Sequence, residues 1–82
     1  MLEKILNDDV GRPRLRVAYP VEFQGREFLT VQKTHYVNNE GVVEWRGGIW
    51  IGIDDEGDLA AVEWLCEAMR ELVGEVWEGI ID

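Results

Sequence analysis

The chain has 82 residues, of which 46% are hydrophobic and 30% charged, and its net charge at pH 7 is -9. This length is typical of one small domain whose core is barely sufficient, so association with a second copy is a natural way to bury more apolar surface. No apolar run is long enough to cross a bilayer, and the first eleven residues do not resemble a signal peptide. The single cysteine, Cys66, cannot form an intramolecular disulfide, which favours a reducing cytoplasm and a packing role.

The first predicted elements are strands of an antiparallel sheet over residues 14–53, preceded by an N-terminal arm, residues 1–13. Alternating charged and apolar residues, β-branched content and the turn residues Asn38 and Gly41 indicate a meander. Gly47 and Gly48 are interpreted as a bend between the last two strands. The four predicted strands are residues 14–19, 27–37, 42–46 and 49–53. Pro20 interrupts the first strand, and residues 21–23 are interpreted as its continuation, as an edge or a bend.

A long amphipathic helix is predicted over residues 58–78, with Asp58 as its N-cap. Its apolar arc covers nearly half the circumference, which is wider than contact with one sheet requires, so we expect a homodimer formed through this helix. The alternative is a helix sunk between the sheet and the N-terminal segment. The expected dimer contacts are Val62, Cys66, Met69, Val73 and Val76. The predicted fold class is α+β, with the order β-β-β-β-α.

The two faces of the predicted sheet differ in chemistry. If the leucine, valine and isoleucine positions face the helix, the opposite face carries cations and aromatic side chains, the combination that sheet-based binders use for phosphates and unpaired bases. The alternative is an ordinary mixed solvent face. The residues expected on that face are Arg14, Arg16, Phe28, Thr30, Gln32, Arg46 and Trp50.

The charge is distributed unevenly along the chain. Residues 11–50 contain six basic and four acidic side chains, whereas residues 51–82 contain Arg70 alone against ten carboxylates. An acidic surface repels phosphates, but here the acidity belongs almost wholly to the helical end. The sheet and the helix therefore suit different partners, unless the acidic side serves only solubility.

Catalytic and cofactor chemistry has little support in the sequence. His35 is the only histidine, and no second histidine or cysteine lies near it at metal-ligand spacing. Capping of a helix explains the acidic residues 54–58 better than a calcium loop does, because the regular alternating ligands and the closing glutamate are absent. We expect a protein that is not an enzyme, with no catalytic residues, no metal and no cofactor.

Residues 28–69, FLTVQKTHYVNNEGVVEWRGGIWIGIDDEGDLAAVEWLCEAM, and the upstream VEFQGREF follow a recognisable layout. A long strand, an acidic turn with glycine, a short strand, a basic residue with glycine, an apolar strand and an acidic helix start succeed one another. This layout resembles the positive cofactor four family of transcriptional coactivators. The resemblance implies homodimers joined largely through the helices, and sheets that hold single-stranded DNA or melted duplex in transcription regulation, replication or repair.

Two functional hypotheses follow. The first is a dimeric single-stranded DNA- or RNA-binding protein. The second is an acidic interaction module, such as a phage-type inhibitor, whose helix occupies a basic nucleic-acid channel on another protein. The first assigns phosphate contacts to Arg14, Arg16, Lys33 and Arg46, and base stacking to Phe28, Tyr36 and Trp50. The second assigns the contacts to Glu63, Glu67, Glu71, Glu75 and Glu78.

Overall fold

The structure, a computed structural model, describes residues 1–81, with all their side chains except those of Tyr36 and Ile81. Four strands form one antiparallel sheet in the order β1-β2-β3-β4, and one helix follows. The predicted α+β fold with a four-stranded meander and a C-terminal helix is confirmed. The elements are β1 (Leu2–Asn7), β2 (Pro13–Phe23), β3 (Arg26–Val37), β4 (Val43–Gly52) and α1 (Glu56–Ile81).

The segment predicted as an N-terminal arm contains strand β1. Leu2 pairs with Tyr19 and Leu6 pairs with Leu15, so β1 forms one edge of the sheet. The turn between β1 and β2 is closed by the Asp8 carboxylate, which accepts hydrogen bonds from the following backbone amides. All six residues of β1 are exposed, which explains why their sequence shows no buried face.

The predicted third and fourth strands form a single strand, β4. Val31 pairs with Ile49 and Lys33 pairs with Arg46, so one residue of β3 lies opposite two glycines of β4 in a β-bulge. Gly48 has a φ of +96°, and a Cβ on it would lie 1.6 Å from the carbonyl oxygen of Val31. Only glycine fits this close approach of two backbones.

The helix starts earlier and ends later than predicted. Asp55, rather than Asp58, is the capping residue, because its Oδ1 accepts a hydrogen bond from the Asp58 amide at 3.1 Å. The Asp58 carboxylate in turn accepts from the Asp54 amide at 2.7 Å. At the other end α1 continues through Gly79 to Ile81. Within residues 1–81 no helix has the length and apolar character that crossing a bilayer requires.

The chain has very little buried core. Among the described side chains only Ala18, Thr30 and Ile53 are buried. The helix is not sunk into the rest of the chain, because every described side chain from residue 63 to residue 80 is exposed. Between the sheet and the first half of α1 lies an apolar cavity of about 260 Å³. Its lining consists of Leu6, Leu15, Val17, Leu29, Val31, Ile49, Ile51, Val62, Leu65, Cys66 and Met69.

Candidate nucleic-acid interface

The sheet face opposite α1, here called the outer face, is set by the strand register. Directly paired residues of neighbouring strands project to the same side of a sheet. Ala18 pairs with Thr30, and Thr30 pairs with Trp50, while the apolar residues that alternate with them line the cavity beneath α1. The described side chains that pairing and alternation place on the outer face include Arg14, Arg16, Phe23, Arg26, Phe28, Thr30, Gln32 and Trp50.

An exposed aromatic cluster occupies one end of the outer face. The Trp50 ring makes T-shaped contacts with Phe28, with 5.6 Å between ring centroids, and with Phe23, with 6.2 Å between centroids. Trp50 is 48% exposed and Phe23 is 56% exposed. The edge-to-face contacts orient the indole while leaving much of it accessible to a ligand.

Phe23 and Arg26 were not among the residues predicted for this site. They lie at the ends of β2 and β3, where the sequence indicates a turn, but they pair directly with each other beside Val21 and Phe28. The Arg26 guanidinium carbon lies 5.4 Å from the Phe28 ring centroid, a cation–π contact. The two-residue turn Gln24-Gly25 is the sequence signal that could have placed Phe23 and Arg26 opposite each other on the outer face.

Each arginine of the outer face contacts a carboxylate. Arg16 Nη2 lies 2.6 Å from Glu3 Oε2, and its Nη1 donates to the Gln32 side chain at 3.2 Å. Arg26 Nη2 lies 3.0 Å from Asp54 Oδ2. Any anion that approaches these guanidinium groups therefore competes with existing ion pairs.

Arg14 has the loosest of these contacts. Its Nε lies 3.8 Å from Asp8 Oδ2, and 68% of the arginine side chain is exposed. The backbone hydrogen bond from the Arg12 amide outweighs desolvation and, with the bond from the Val10 amide and the Arg14 charge, holds the pKa of Asp8 below its usual value. Asp8 is thus an anion that completes its own turn and also faces the outer-face arginine.

Lys33 and Arg46 lie on the other side of the sheet. Lys33 pairs with Leu15, which lines the cavity, and also with Arg46. The prediction placed Arg46 beside Trp50, but the extra residue in the bulge reverses the alternation between them. Arg46 Nη2 lies 2.8 Å from Glu44 Oε1. The Tyr36 side chain lies outside the described residues, although its backbone pairs with Glu44.

The five predicted dimer contacts divide into two groups along α1. Val62, Cys66 and Met69 line the apolar cavity. Val73 and Val76 lie beyond it and are 52% and 61% exposed. The same distal half of the helix also exposes Leu72, Trp77 and Ile80. The chain therefore carries a concave apolar surface and a projecting apolar surface, and because α1 is continuous these two surfaces do not contact each other.

The opposite side of α1 is acidic and carries one large aromatic residue. Trp64 is 66% exposed, and Glu67 and Glu71 follow it at the three- and seven-residue spacings that share a helix side. No ion pair involves a residue of α1 among the described side chains, in contrast to the sheet. This side of the helix therefore keeps its negative charge unneutralised.

Comparisons with protein-family models, with curated proteins and with solved structures found no match. Among the side chains described, no three histidine, cysteine or carboxylate groups come together as possible metal ligands. The features that bear on function are therefore the aromatic cluster and arginines of the outer face and the exposed surfaces of α1.

Proposed function

We propose that this protein is a non-enzymatic, homodimeric single-stranded DNA- or RNA-binding protein with a role similar to that of a transcriptional coactivator. The observation that carries the proposal is the exposed Trp50, which makes T-shaped contacts with Phe23 and Phe28 within the outer face. Arg14, with most of its side chain exposed, supplies an accessible cation on the same face.

The aromatic cluster favours unpaired bases over duplex. A base within a duplex stacks on its neighbours, whereas a single-stranded base can place its ring face on an exposed aromatic side chain, with a gain of about 1–3 kcal/mol per base. Since Arg16 and Arg26 are paired with carboxylates, phosphate attraction contributes less than an unpaired arginine would give. Stacking on Trp50 is therefore the main source of affinity in this proposal.

The exposed apolar surface of α1 supports the homodimer. A chain with so few buried residues has too little core to be stable alone, and burial of apolar area is the main favourable contribution to folding. In a two-fold arrangement the distal half of each helix, with Val73, Val76 and Trp77, covers the cavity of the partner. The projecting surface and the concave surface belong to the same chain, which fits an isologous contact.

Fluorescence anisotropy with a labelled oligothymidine tests the nucleic-acid proposal. Trp50→Ala should weaken binding by a factor between about 5 and 150, the range that corresponds to the loss of one stacked base. Trp64→Ala is the matched control, because it removes another exposed tryptophan from α1 and should leave binding unchanged. Absence of binding at low salt, or equal binding by the Trp50 variant, would exclude this function.

A second candidate function is an acidic interaction module that binds a basic protein through α1. It is favoured by the contrast between the paired arginines of the sheet and the unpaired carboxylates around the exposed Trp64. A tryptophan amid carboxylates suits an arginine-rich segment, since guanidinium groups stack on indole rings and pair with carboxylates.

Calorimetric titration with an arginine-rich peptide tests this second function. We expect Glu67→Lys/Glu71→Lys to abolish binding and Trp64→Ala to weaken it. The variant Glu22→Lys/Glu40→Lys, outside α1, changes the net charge equally and should bind almost normally. Equal losses in the two double variants would show attraction to net charge alone and would count against a site on α1.

A further inference from the structure

Two of the three arginines of the outer face are in close contact with a carboxylate, while Arg14, at 3.8 Å from Asp8, is the most exposed of the three. Glu3 of the edge strand β1 receives both the Nε of Arg16, at 2.8 Å, and its Nη2, at 2.6 Å. Asp54, which lies between β4 and α1, receives Nη2 of Arg26 at 3.0 Å. Neither carboxylate belongs to the strand that carries its arginine, so each is brought to the outer face by the fold.

The Arg26 guanidinium contacts an aromatic ring as well as a carboxylate. It lies over the Phe28 ring, and a Cβ on residue 52 would come within 2.7 Å of its Nη2, so Gly52 leaves the space that the guanidinium occupies. A phosphate approaching Trp50 meets a charge that is already partly neutralised by Asp54, on a side chain that is 56% exposed. Arg16 is more enclosed, with only 25% of its side chain exposed.

The Arg26–Asp54 pair is weak enough for a phosphate to displace, because its side chains are 56% and 64% exposed and solvent-exposed pairs contribute little to stability. The Arg16–Glu3 pair is less exposed, at 25% and 38%, so a phosphate displaces it less readily. After displacement, however, each carboxylate stays beside the phosphate and repels it. The carboxylates therefore reduce the affinity for any phosphate chain without closing the site.

We propose that Glu3 and Asp54 are internal competitors of phosphate at the outer face. This inference rests on the proposed single-strand-binding function and concerns its regulation. The competition lowers the contribution of phosphate contacts to the binding free energy, so that a sugar–phosphate backbone without bases binds poorly. Only a ligand that also stacks a base on Trp50 then binds at moderate concentration.

The test compares two probes of equal length, an oligothymidine and an abasic strand that has the same phosphates and no bases. Glu3→Gln and Asp54→Asn should each bind both probes about threefold to fivefold more tightly than the unmodified protein. Glu67→Gln is the control, because it removes the same charge from α1 without releasing an arginine, and its affinities should change less than twofold. Thermal unfolding of each variant checks that the fold is retained.

The outcomes separate this inference from the function on which it rests. Equal gains for the abasic strand show that the effect acts on phosphate, whereas a change in the aromatic cluster would alter binding of the thymidine strand alone. If the unmodified protein binds oligothymidine but the two variants bind no more tightly than Glu67→Gln, the competition is refuted and the function stands. If neither the protein nor its variants bind either probe, both are refuted.

Discussion

Substitution of Val76 by aspartate should separate the protomers of the proposed dimer. Val76 is 61% exposed in the single chain, and complete burial of a valine contributes about 1.5–3 kcal/mol, so about 1–2 kcal/mol remains to be gained at an interface. Two-fold symmetry doubles this contribution to about 2–4 kcal/mol, which corresponds to a factor between about 30 and 1,000 in the dissociation constant. The buried carboxylate adds a further desolvation cost.

Sedimentation velocity measures this effect directly. The unmodified protein should sediment with twice the chain mass of 9.4 kDa at micromolar concentration, and Val76→Asp should shift it towards the monomer. Because the protomer buries so little, the thermal midpoint of the unmodified protein should also rise with protein concentration. Ala68→Asp, on the other side of α1, is the control and should remain dimeric. A monomer with a concentration-independent midpoint would refute the reasoning from exposed apolar surface.

Three further predictions concern the sheet. Gly48→Ala should lower the thermal midpoint by far more than Gly47→Ala, since both glycines have positive φ but only a Cβ on Gly48 meets the neighbouring strand; equal losses would contradict the close approach of the two backbones at the bulge. The pKa of Asp8 is lowered in the folded state, so its contribution to stability is present above about pH 4 and is lost as the pH falls through the folded-state pKa. The thermal midpoint of the Asp8→Asn variant should therefore fall less over that pH range than the midpoint of the unmodified protein. An identical pH profile for the two proteins would count against this contribution. In anisotropy titrations Lys33→Ala should weaken oligothymidine binding less than Arg14→Ala does, because Arg14 lies on the outer face and Lys33 lies on the face towards α1. A larger loss for Lys33→Ala would mean that the phosphates follow the face towards α1.

The pattern of apolar residues was sufficient to predict the fold class and the face that lines the cavity. The prediction from this pattern failed where a bulge in the backbone changes which side chains of a strand point to each face of the sheet. The bulge at Gly47 and Gly48 lies inside one strand, where two strands were predicted, and it places Arg46 on the same side of the sheet as Lys33. Glycine is required at residue 48 because the backbone of β3 comes close to it, and this contact with another strand cannot be read from the residues around Gly48. Strand β1 was missed for a related reason, since an exposed edge strand is stabilised by its pairing and need not bury an apolar face.

The acidic charge of α1 and the proposed binding of a polyanion are physically compatible. The apolar side of α1 and the inner face of the sheet line one cavity, so the acidic side of α1 and the outer face are turned away from each other. Repulsion between exposed charges that lie more than a Debye length apart, about 8 Å at physiological ionic strength, is largely screened. The carboxylates that oppose phosphate most effectively are therefore those beside the outer-face arginines, Glu3 and Asp54 together with the more distant Asp8, and these few residues influence binding more than the larger number on α1.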